Sequence, residues 1–77
     1  MLVVTHNEVL DAIEILCDEQ GIEALSRVLT DLRLKGGHRH FYAPPHPQAT
    51  LNATAPHGQK AFKELIITSA LGLADQA

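Results

Sequence analysis

The chain is short of cysteine, of basic clusters and of long apolar runs, and each shortage removes a class of protein. Its one cysteine, Cys17, excludes an intramolecular disulfide and fits a reducing compartment. The apolar start Leu2-Val3-Val4 is far too short for a signal peptide or a membrane span. A cytoplasmic location is therefore expected, and the glycosylation triplet Asn52-Ala53-Thr54 is incidental on that reading. Six lysines and arginines stand against nine acids, for a formal net charge of −3. No basic cluster could neutralise several phosphates, which speaks against general nucleic-acid affinity. A nucleophile elbow, a phosphate loop and paired carboxylates are all missing. Cys17 falls on an apolar face, where a structural thiol is expected. The chain is thus not expected to be an enzyme.

What remains is 77 residues, room for one domain spanning 1–77. A domain of this size buries only about 60% of its unfolded surface. Metal, oligomerisation or close helix packing must then supply stability. Charge is unevenly spread. Residues 1–35 carry seven acids against three bases, a net of −4, whereas residues 36–58 carry a single formal charge, Arg39.

Apolar spacing predicts an all-α, three-helix protein: a helical hairpin, a long loop and a C-terminal helix. Thr5 and Glu8 have the spacing of a capping box. Helix 1 is expected to run from there to about Gln20, with Gly21 as its stop. On it Val9, Leu10, Ala12, Ile13, Leu16 and Cys17 share one face. Glu8, Asp11, Glu14, Asp18 and Glu19 share the other, with Ile15 among them. A plain solvated surface accounts for that acidic face; so does a contact surface for a basic partner, with Ile15 as its anchor. Helix 2 is expected from Ile22 to Lys35, with Ile22, Leu25, Val28, Leu29 and Leu32 as its stripe and Gly36-Gly37 as its end.

The last block, from near Thr54 or His57 to about Ala74, reads as a helix apolar on two sides. Phe62, Leu65, Ile66, Ser69 and Leu73 form one stripe, and Ile67, Leu71 and Ala74 the other. A helix apolar on two sides is buried on two sides. That predicts an intertwined or side-by-side homodimer with Phe62, Ile66, Ile67 and Leu71 at its interface. The rival is a strand, because Leu65-Ile66-Ile67-Thr68 could pair with Leu2–Thr5 or with His40-Phe41-Tyr42.

Residues 36–58 form a Pro/His-rich insert. It holds all four prolines and four of the five histidines. A loop this long in a compact domain is usually functional or disordered. Phe41 and Tyr42 suggest partial order and candidate contact residues. His38 and His40 fall on one side of an extended segment, and His46 and His57 could complete a tetrahedral zinc site. The insert contains no acid to orient such ligands. Solvent-facing histidines, or a surface that charges on mild acidification, explain the pattern equally well.

Three function classes follow. The first is a small acidic protein-interaction module that binds and modulates a larger protein, as inhibitor or adaptor. Its partner-binding candidates are Glu8, Asp11, Glu14, Ile15, Asp18, Phe41 and Tyr42, and such modules are common among bacterial and phage accessory factors. The second is a helix-turn-helix regulator built on Ile13–Leu32, against which the acidic first helix counts. The third is a metal-binding domain on His38, His40, His46 and His57, with zinc as its cofactor.

Overall fold

Leu2, Val3, Val4 and Thr5 are all almost wholly buried, on both faces of the backbone. A helix stripe cannot do this; a central strand can. The computed structural model describes residues 1–71. They form strands β1 (Leu2–Asn7) and β2 (Ala12–Cys17), helix α1 (Glu19–Lys35), then strands β3 (His38–Tyr42) and β4 (Glu64–Thr68). β1 and β2 pair antiparallel from Leu2–Cys17 to Asn7–Ala12, and β3 and β4 from His38–Thr68 to Tyr42–Glu64. The all-α, three-helix expectation is therefore wrong: the protein is two antiparallel hairpins and one helix.

Local chemistry explains the first error. Val3, Val4, Thr5, Ile13 and Ile15 are β-branched and suit strands. Between them the Asn7 side chain accepts the Leu10 N–H at 3.0 Å, and Asp11 sits at φ 50°, which aspartate tolerates better than most residues. Thr5 is mid-strand and caps nothing. Val9 and Leu10, placed by helical spacing on a buried face, lie in the turn, and Val9 is 95% exposed.

The second predicted helix exists but begins earlier. Asp18 caps it by accepting the Gly21 N–H at 3.0 Å. Gly36, at φ 68°, ends it with its N–H on the Leu32 carbonyl. Gly21 is no stop. A Cβ there would run into the Met1 carbonyl and the Cys17 Cβ, so glycine lets the first turn press against the hairpin. The buried face is also rotated from the predicted stripe. Gly21 and Leu32 are buried, Ala24, Leu25 and Val28 partly so, while Ile22 and Leu29 are exposed.

The predicted third helix is β4. Leu65 and Ile67 turn inward and Ile66 outward, so its two apolar sides are the two faces of a strand. The homodimer loses its stated ground with that helix. Leu73 and Ala74 lie outside the described residues. β4 pairs with His38–Tyr42, which contains His40-Phe41-Tyr42, one of the two partners of the rival strand reading. Part of the 36–58 insert is thus strand β3, and Pro56–Gly58 makes a single tight turn.

The hairpins meet at β1. The Phe62 N–H donates to the Val4 carbonyl at 2.7 Å, and the Asn52 N–H to the Leu2 carbonyl at 2.7 Å. An isolated bridge joins Thr5 to Ala61. Leu2, Val4, Phe41, Ala43 and Leu51 form the core, with Ala24, Leu25 and Val28 of α1 packed against it.

Candidate functional site

Four of the seven predicted partner-binding residues remain together, on hairpin β1–β2 rather than on a helix. Glu8 and Asp11 occupy its turn, and Glu14 and Ile15 lie on β2. All four are exposed. β2 is an edge strand, paired only with β1 among the described residues. Ile13 stands opposite His6 and Ile15 opposite Val4, so both point to the face that carries Val4. Helix α1 starts after β2 and leaves this end uncovered: Ile13 is 69% and Ile15 42% exposed. Glu14, between them, points to the other face. Beside Ile13 lies a shallow apolar depression that Val4, Phe62, Glu64, Leu65 and Ile66 also line. No lysine or arginine precedes Arg27, so the turn and β2 carry only acidic formal charges, with His6 opposite Ile13 and His57 and Lys60 beside the turn.

Ile13, Val9 and Leu10 were missed as surface residues because helical spacing assigned them to a core. The alternation Ile13-Glu14-Ile15 was the signal that could have found this edge.

The other predicted contacts scatter. Asp18 caps α1 and binds the N-terminal ammonium at 2.6 Å. That ammonium, and next the Gly21 N–H, hold its carboxyl below the ordinary carboxylate range. Phe41 is buried in the core, and Tyr42 is half-buried. Of the predicted dimer-interface residues, Ile66 and Leu71 are exposed, while Phe62 and Ile67 pack on the core.

Three histidines do gather. His38, His40 and Tyr42 share the outer face of β3. The His40 ring stacks 5.5 Å from Tyr42, and His46 covers Tyr42 at 3.8 Å. His38 meets His40 edge-on at 5.0 Å. Glu64 on β4 contacts His40 Nδ1 at 2.9 Å, an acid supplied from outside the insert. His57 lies instead beside the β1–β2 turn, with His6 and Glu8. Among the described residues no three His, Cys, Asp or Glu side chains converge to hold a metal ion. The four-histidine zinc arrangement is therefore not assembled. A helix-turn-helix is not formed either, because Ala12–Cys17 is strand. Among the described residues, no helix is long and apolar enough to cross a membrane.

No family model matches the chain, and no curated protein or solved structure does so either.

Proposed function

We propose that this protein is a small interaction module that docks on a larger protein through hairpin β1–β2 and modulates it. The observation that carries this reading is the open β2 edge, where exposed Ile13 and Ile15 alternate with exposed Glu14. Single exposed apolar residues are ordinary. A contiguous apolar patch rimmed by polar residues marks an interaction surface. The core is correspondingly thin. Among the described residues seven apolar side chains are buried, whereas ten large ones are exposed, so the molecule holds back much of its apolar surface for contact.

The test is a photo-crosslinking residue at position 13, compared with one at Leu34, exposed on α1, in cells that produce the protein. One larger protein should be captured from position 13 and not from position 34. Its activity should change on adding the purified wild-type chain but not Ile13→Asp. Equal capture from both positions, or an activity indifferent to the substitution, would end the reading.

A further inference from the structure

How the hairpin holds its partner follows from the direction of its backbone groups. In β1 the carbonyls of Leu2 and Val4 accept from Asn52 and Phe62, so the even residues face away from β2. The odd residues, Val3, Thr5 and Asn7, therefore exchange bonds with Leu16, Glu14 and Ala12 opposite them. By alternation, Ile13 and Ile15 direct their N–H and C=O groups out of the free edge. No described residue hydrogen-bonds to these four groups.

Such an edge is a template for another strand. A second copy of this chain fits it poorly. The antiparallel self-pairing that satisfies all four groups sets Ile13 against the other copy's Ile15. It then puts the two Glu14 residues directly opposite one another, in the close type of pair with Cα atoms about 4.5 Å apart. Like charges so placed are destabilising, and the acids of the two turns add to the repulsion. A strand with lysine or arginine opposite Glu14 reverses that sign. Residues opposite Ile13 and Ile15 then share their apolar face, where β-branched side chains pack best.

We propose that β2 takes up an extended segment of the partner as an added antiparallel strand. The segment carries a basic residue opposite Glu14 and β-branched residues opposite Ile13 and Ile15. This rests on the docking reading above and specifies its geometry. Backbone bonds supply affinity in such complexes, and the alternating side chains supply selectivity.

Two capped pentapeptides test it, Thr-Val-Lys-Val-Thr and Thr-Val-Glu-Val-Thr. Each is titrated into the isotope-labelled protein and followed by NMR at the amides and δ-methyls of Ile13 and Ile15. The free protein should exchange both amides rapidly. The lysine peptide should shift them and slow their exchange, binding at least about tenfold more tightly than the glutamate peptide. Glu14→Lys, at an exposed position, should reverse the preference. Equal binding of both peptides, or no response to millimolar lysine peptide, overturns the inference. So does a free protein of twice the chain mass with both amides already protected, which would make a second copy the occupant. Methyl shifts without amide protection also overturn strand addition but keep side-chain docking, which crosslinking from position 13 judges separately.

Discussion

Gly21, Thr5 and Asp18 each hold a position for a reason visible at the atomic scale. Alanine is favoured over glycine inside a helix by about 1 kcal/mol. At position 21 the added Cβ meets the Met1 carbonyl and Cys17. Gly21→Ala should therefore lower the melting temperature; a rise would show that the first turn can move off the hairpin at little cost. Thr5 is 1% exposed and its hydroxyl has no hydrogen-bond partner among the described residues. A buried unpaired hydroxyl costs about 1–3 kcal/mol. Thr5→Val should raise stability in urea unfolding by about 1 kcal/mol, and a loss would mean that the hydroxyl is satisfied. Asp18 is the titrating case. Its carboxyl lies below its ordinary value in the folded chain. It therefore stabilises the fold above the unfolded-state value, and that stability is lost as pH falls through the folded one. Asp18→Asn should melt earlier than wild type at pH 7, and the gap should close below about pH 4.

At the scale of elements, the two hairpins differ in what covers them. β3–β4 keeps Phe41, Leu65 and Ile67 against the core and exposes the ladder His38–His40–Tyr42 on its other face. The His40–Glu64 contact is short, but both side chains are about a third or more exposed. Exposed ion pairs are worth about 1 kcal/mol at most. A double-mutant cycle with His40→Ala and Glu64→Gln should give a coupling no larger than that, and a bigger value would assign the ladder a structural part. The sequence half-revealed these elements. Helix α1 was legible in its apolar spacing and its glycine end, but its Asp18 cap was not, because Gly21 reads as a helix stop. The other two predicted helices were misread because Leu65-Ile66-Ile67 fills every position, so periods of 2 and 3.6 fit it alike. At Val9–Leu16 a turn interrupts the apolar pattern and mimics helical spacing.

For the whole molecule the balance is between a thin core and a wide apolar surface. A strand edge carrying Ile13 and Ile15 would invite self-association, which on the strand-addition reading Glu14 opposes. Glu14→Gln should leave the fold intact, since the side chain is exposed, yet shift the protein toward dimers or larger species at neutral pH. Sedimentation at several concentrations reads this directly. If the variant sediments like wild type, charge is not what guards the edge.

Composition alone determined that the chain has no internal disulfide, that its first 35 residues are acidic, and that one segment gathers the prolines and most histidines. Local chemistry determined the body of α1 and its Gly36 end. Only the tertiary structure decided which apolar residues are core and which are surface. Apolar spacing records that a side chain prefers to leave water, but the pairing partner decides whether it does. Leu2–Thr5 is buried because a second hairpin and a helix close around β1. Ile13 and Ile15, no less apolar, remain exposed because α1 leaves their end of the hairpin face uncovered.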